Sequence, residues 1–173
     1  MDEGRFGLKT WCRRRWCPRG VRPPWSIAAT YEWLWVDVAI EPTTGSCVVL
    51  LLPVVSGPWL EVFLQHLRAE TGSQTVRVIL DNAPSHKSSQ VTWPDGLTPL
   101  YLPPYSPELD PAEQIFKHLR QHLSNQVFTT LEQMEEALIK ELHPFWDDPQ
   151  VIVQMTNSPW WQAGIDTMIP LSS

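Results

Sequence analysis

The 173-residue sequence has no long hydrophobic run. Its longest apolar stretch, residues 47–55, is about half of the roughly 20 residues that a membrane-spanning helix needs. No charged start followed by an apolar segment marks a signal peptide. These absences predict a soluble, cytoplasmic protein with no membrane partner. Cysteine is scarce as well: Cys12, Cys17 and Cys47 are odd in number and do not make a disulfide framework. Cys12 and Cys17 could supply half of a zinc site, but no second ligand pair follows at a usable spacing. Basic residues are few, 13 against 19 acids, and the net charge of -6 speaks against a partner bound mainly through its phosphates. Internal repeats, coiled-coil heptads and low-complexity tracts are lacking.

The distribution of charge alters that picture. Arg5, Lys9, Arg13, Arg14, Arg15, Arg19 and Arg22 lie in the first 25 positions with only Asp2 and Glu3, so this stretch carries +5 and the rest -11. Interleaved with Trp11, Trp16 and Trp25, it could follow a phosphate backbone and stack on unpaired bases. The competing reading is a solvated, twisted hairpin whose tryptophans pack on a sheet, and the residues alone favour it.

Length and a 43% hydrophobic content fit one domain with a real core. Residues 30–40 are rich in β-branched and aromatic types, and the turn Glu41-Pro42-Thr43-Thr44-Gly45 separates them from 47–55, which predicts an antiparallel hairpin. Leu60, Phe63, Leu64 and Leu67 recur at helical spacing until Gly72. Residues 76–80 form a short, nearly all-apolar strand ending on Asp81, as expected of a strand covered on both faces. A further strand, 97–102, runs into Pro103-Pro104. Two helices follow, over about 111–124 with the stripe Ile115, Leu119, Leu123, and over 131–142 with Leu131, Met134, Leu138, Leu142. From Asp147 the pattern weakens to a short helix or loop. The order predicts a mixed α/β domain over 1–145 with a tail, 146–173, packed on it.

Three acids are candidates for chemistry. Asp81 ends a buried strand, where its charge reaches solvent, although Asp-Asn-Ala-Pro is also good turn chemistry. Asp110-Pro111-Ala112-Glu113 reads as a helix start, with Asp as N-cap and Glu113 closing a capping box. Asp2 alone is simply a charge near the first residue. His118 and His122, at i and i+4, could bind a metal, but taken alone they read as exposed polar histidines.

Together the segments Asp81-Asn82-Ala83-Pro84-Ser85-His86 and Leu102-Pro103-Pro104-Tyr105-Ser106-Pro107-Glu108-Leu109-Asp110-Pro111-Ala112-Glu113 closely resemble the signature of the mariner-related DDE transposases, in particular their bacterial insertion-sequence branch. Asp81 and Glu113, 32 positions apart, match the second and third catalytic acids. Asp2-Glu3-Gly4-Arg5-Phe6-Gly7, with Trp16-Cys17-Pro18-Arg19-Gly20-Val21-Arg22-Pro23, looks like the first acid and the segment after it. Asp110 stands where the family usually has Asn, and Phe116 where it often has Trp. The resemblance extends to about Leu142.

It implies a ribonuclease-H-like mixed sheet flanked by helices, with the first central strand largely missing. It also implies Mg²⁺-dependent DNA cleavage and strand transfer at insertion-sequence ends. Asp2, Asp81 and Glu113 would be the catalytic acids and would hold two Mg²⁺, with Mn²⁺ as a substitute, Asp2 and Asp81 sharing one ion and Glu113 with Asp2 the other. Double-stranded DNA, at inverted-repeat ends and target, would be the partner, in a homo-oligomeric synapsis. The seven N-terminal bases, His86 and Lys117 are the candidate DNA contacts; His86 could instead orient the Asp81 loop or cap the next short helix at the surface. The expectation for the start is that Met1 is internal or frameshifted, with the remaining strand and a helix-turn-helix module encoded upstream. The alternatives are a catalytically inactive, truncated remnant that at most binds DNA or partner subunits, and another ribonuclease-H-like nuclease such as a junction resolvase, against which the Pro-Pro-Tyr-Ser-Pro segment stands.

Overall fold

The computed structural model describes residues 1–163 apart from 15, 22–25, 88–90, 105, 107–108, 157–158, 160 and 162. Arg15, Arg22, Trp25, Tyr105, Pro107 and Glu108, singled out above, therefore lie outside the described residues.

Among the described residues, five strands and four helices form a mixed α/β domain: β1 Asp2–Gly7, β2 Trp33–Ile40, β3 Cys47–Leu52, α1 Gly57–Thr71, β4 Val76–Leu80, β5 Leu97–Tyr101, α2 Ala112–His122, α3 Leu131–Asp147 and α4 Pro149–Thr156. The expected hairpin is β2 and β3, antiparallel with Ile40 opposite Cys47. Its turn closes on Gly45, whose φ of 79° is open to glycine at little cost. A Cβ there would also meet the Pro149 carbonyl oxygen at 2.1 Å. β1 pairs antiparallel with β2 along its whole length, from Asp2 opposite Val38 to Gly7 opposite Trp33. β4 and β5 are parallel. The Met1 amine donates to Ile79 O at 2.8 Å, so β1 stands beside β4.

Period-two alternation decides what each face of the three-stranded sheet meets. Phe6, Leu34, Val36 and Val38 point to one face and pack with Ile115, Phe116 and Leu119 of α2, Leu138 and Leu142 of α3, and Ile152 of α4. Ala39, Val48 and Leu50 point to the other, where Leu60, Phe63 and Leu64 of α1 and Val78 and Leu80 of β4 form a second cluster. A close approach joins α2 to β1: a Cβ on Gly4 would lie 2.5 Å from the Phe116 ring. Only glycine lets that ring lie against the strand.

Between β1 and β2 the chain makes an excursion, residues 8–32, whose base is closed by Leu8 N to Glu32 O and Thr10 N to Ala28 O. No strand extends into its described residues. Among the described residues the expected packing of tryptophans on the sheet is not what forms. Trp16 is fully exposed and Trp11 half exposed. The face that carries Phe6, Leu34 and Val36 is already covered by α2 and α3. The excursion is tied instead to the end of α2: Asn125, at φ 62°, donates its N–H to Trp11 O and accepts from Arg13 N through Oδ1.

Candidate active site

Alternation along β1 separates two neighbouring acids. Asp2 shares its face with Gly4 and Phe6, which carry α2, and so looks toward the start of that helix. Asp110 and Glu113 stand there. Asp110 is buried, its Oδ1 accepting from Ala112 N at 2.9 Å while Oδ2 has no partner. The expected capping box does not close: Glu113 leaves the backbone and its Oε2 lies 3.4 Å from the Arg120 guanidinium, two turns along α2. Arg120 is the stronger partner because it is a cation, and its guanidinium also lies over the Trp11 and Phe116 rings.

Burial and then the charge of Asp110, with Glu3 and Glu113 adding to it, push the Asp2 carboxyl up to about 7. Asp110 is raised too, first by burial, with Glu113 and Asp81 contributing and the Met1 amine opposing. The structure thus gathers Asp2, Asp110, Glu113 and Asp81 into one electrostatic neighbourhood, drawn from β1, the end of β4 and the start of α2. Asp81 and Glu113 nevertheless have separate partners. Asp81 Oδ1 accepts from Ala83 N at 2.8 Å. Asn82 Nδ2 donates to Leu102 O, linking the loop after β4 to the end of β5.

Glu3 projects to the opposite face and meets His86. The imidazole is 1% exposed, with Nε2 2.5 Å from Glu3 Oε1 and Nδ1 2.8 Å from Asp81 Oδ1, the second contact out of line for a full hydrogen bond. Burial disfavours the imidazolium, but Glu3 and Asp81 outweigh it and raise the pKa. The ring of His86, a candidate DNA contact by sequence, is enclosed between the Glu3 and Asp81 carboxylates. Its backbone carbonyl accepts from Tyr101 Oη, fixing the same loop to β5.

Sequence reasoning missed the roles of Glu3, Asp37 and Arg120. Asp37 sits opposite Glu3 in the β1–β2 register, buried, with Oδ1 unpartnered. A lone acid inside Trp-Leu-Trp-Val-Asp-Val-Ala-Ile was the available signal. Burial and then Glu3 push its carboxyl up to about 8, against the pull of His86. An acid whose pKa is higher folded than unfolded keeps a proton that the unfolded chain releases, so its effect on stability worsens as pH rises from about 4 to about 8. Asp37→Asn is expected to stabilise the fold by about 1–3 kcal/mol near pH 8 and to change little near pH 4. Urea unfolding at both pH values checks this; equal losses for wild type and variant would show that Asp37 ionises freely.

A cavity of about 490 Å³ opens beside β1, with Arg5, Lys9, Arg120, Trp11, Tyr31 and Trp33 in its wall. Arg5 lies over the Trp33 ring and Lys9 over Tyr31. Arg13, Arg14, Arg19 and Lys117 are exposed.

The acid cluster suits a hard divalent cation. All its donors are oxygens, Asp110 has an orphaned buried oxygen, and Asp2 is hindered from ionising by burial and by neighbouring negative charge, which a cation would offset. In the rotamers seen, Asp2, Asp81 and Glu113 are not drawn together closely enough to share one ion. Among the described residues the one group of three whose ligand atoms all lie within 4.8 Å of one another is His118, His122 and Glu141.

Residues 1–135 match a family model described as DDE superfamily endonuclease. A curated relative, "Uncharacterized protein y4pE/y4sA" of Sinorhizobium fredii (strain NBRC 101917 / NGR234), is 28% identical over 131 residues, 74% of this chain and 96% of that protein. Among solved structures, the Mos1 strand transfer complex superposes with a TM-score of 0.68 at 20% identity, over 96% of this chain and 52% of that one. The Mos1 mariner paired end complex with Mn gives 0.60 at 20% identity over 90% and 52%. The corresponding complex with Mg gives 0.60 at 18% over 96% and 53%. The ribonuclease-H-like fold is therefore shared, and the chain spans about half the length of those solved chains.

Proposed function

The chain belongs to the DDE superfamily endonuclease family, and from that premise we propose that it is the catalytic domain of a transposase of the bacterial insertion-sequence branch. It cleaves DNA at inverted-repeat ends and joins the freed 3′-hydroxyl to target DNA. The observation that carries this reading is the gathering of Asp2, Asp81 and Glu113, from two strands and a helix start, into one neighbourhood with the buried Asp110.

In this reading Asp2, Asp81 and Glu113 hold two Mg²⁺, with Mn²⁺ as a substitute. Such ions, when bound, favour ionisation of the attacking oxygen and neutralise charge on the leaving one. The protein's own residues do the rest. Glu3 and His86 hold the Asp81 loop from behind, through the 2.5 Å and 2.8 Å contacts. Arg120 balances Glu113 until a cation takes that role. Arg5, Lys9, Arg13, Arg14, Arg19 and Lys117 line the path of the DNA backbone, and the aromatic wall of the cavity receives unstacked bases. Residues 1–145 are the catalytic unit and the tail packs on it, which the burial of Ile152 in the shared core supports. The working form is a homo-oligomer pairing two DNA ends in the cytoplasm; among the described residues no helix is long and apolar enough to cross a membrane.

The test is a supercoiled plasmid bearing inverted repeats, incubated with the chain and Mg²⁺ or Mn²⁺. Nicking that requires the cation and stops on chelation is expected. A folded chain that leaves the DNA intact with either ion would overturn the catalytic reading in favour of the inactive, DNA-binding one.

A further inference from the structure

Away from the acids, α2 and α3 build a second donor set of different chemistry. His118 and His122 are one helical turn apart, so their side chains emerge from the same face, with ring centroids 4.0 Å apart. α3 packs beside α2 and brings Glu141, whose Oε2 is 3.7 Å from His118 Nε2. The ligand atoms of the three residues all lie within 4.8 Å of one another. On a tetrahedral zinc ion they would be roughly 3.3 Å apart, given Zn–N and Zn–O lengths near 2.0–2.1 Å. Small side-chain rotations close that difference, since His122 is exposed and the other two are part-exposed.

Both rings are already oriented. His122 Nδ1 lies 2.9 Å from His118 O. A carbonyl only accepts, so Nδ1 carries the proton and Nε2 keeps its lone pair for a ligand bond. A backbone carbonyl holding the non-ligating nitrogen is the usual support of a metal-bound histidine. The His118 ring is held edge-on by Phe145 at 5.2 Å. Two imidazoles and one carboxylate suit zinc and its neighbours in the transition series, whereas Mg²⁺ prefers oxygen donors. Glu113, in the first turn of α2, is five and nine residues before the two histidines, about 8 and 14 Å along the helix axis.

We propose that His118, His122 and Glu141 form a binding site for one zinc-class transition-metal ion that clasps α2 to α3, separate from the acid cluster. Three protein ligands leave a fourth position for water. Because α2 carries Glu113 at its start, the ion would steady the element that delivers that acid. The site stands or falls independently of the catalytic reading.

The experiment uses the untagged chain in excess Mg²⁺, titrated with Zn²⁺ by calorimetry and with Co²⁺ by visible absorption. One equivalent of each is expected, with a tetrahedral Co²⁺ spectrum and a raised Tm. His122→Ala and Glu141→Gln should each weaken Zn²⁺ binding at least about tenfold. Asp81→Asn and the double variant Cys12→Ser with Cys17→Ser should leave it unchanged. Binding that survives His122→Ala, binding lost in Asp81→Asn or in the cysteine variant, or none by the folded wild-type chain would each overturn the proposal.

Discussion

Asp81→Asn, Glu113→Gln and Asp2→Asn are each expected to lower cation-dependent DNA nicking at least about a thousandfold, equivalent to about 4 kcal/mol of transition-state stabilisation. Each change keeps the side chain's size and removes an anionic donor. The loss should therefore fall on catalysis and not on folding. The three acids come from β1, the end of β4 and α2. Asp110 is the nearest substitute, but one of its oxygens is committed to Ala112 N. Single-turnover nicking with Mg²⁺ and with Mn²⁺ measures the effect, with circular dichroism confirming that each variant is folded. Undiminished nicking in any one of the three would remove that residue from the catalytic set. Undiminished nicking in all three would point to a contaminating nuclease.

The second large effect is expected at His86. Its removal leaves the Glu3 carboxylate, with a side chain 9% exposed, buried without its partner. Breaking a buried ion pair in this way costs about 3–5 kcal/mol, a large share of the roughly 5–15 kcal/mol that holds a domain together. His86→Ala should lower the denaturation midpoint sharply, and Glu3→Gln should recover part of that loss in the double variant, because no buried charge is then stranded. Strict additivity of the two single effects would show that the pair does not interact. His86→Gln separates support of Asp81 from stability: a variant that folds but nicks slowly, with the defect eased at high Mn²⁺, marks His86 as a positioning residue.

The elements were legible because local pattern and burial agree. The strand ending at Asp81 is nearly all apolar, and β4 ends at Leu80. The α1 stripe of Leu60, Phe63, Leu64 and Leu67 is the buried face of that helix, and Gly72 stops it at φ 59°. The stripe on α3 was read to Leu142, but the helix runs on through Pro144 to Asp147. Buried Phe145 holds that further turn in the core. The basic, tryptophan-rich excursion was misread for a related reason. Its composition permits packing on a sheet, but whether a sheet face is free depends on helices that lie further along the chain, α1 from Gly57 and α2 from Ala112.

By itself the sequence determined most of the elements, from the β2–β3 hairpin to α3, and pointed to the acids that match the family's motif, since periodicity and short motifs are local properties of the chain. Tertiary structure decided what each acid does. Asp2 and Glu3 are adjacent and chemically alike, but a strand turns successive side chains to opposite faces. One therefore joins Asp110 and Glu113, and the other is buried against His86. Asp37 was set opposite Glu3, and Glu141 beside His118, in the same way. Each partner is set by register across strands or packing between helices, and neither is written in the spacing of residues along the chain.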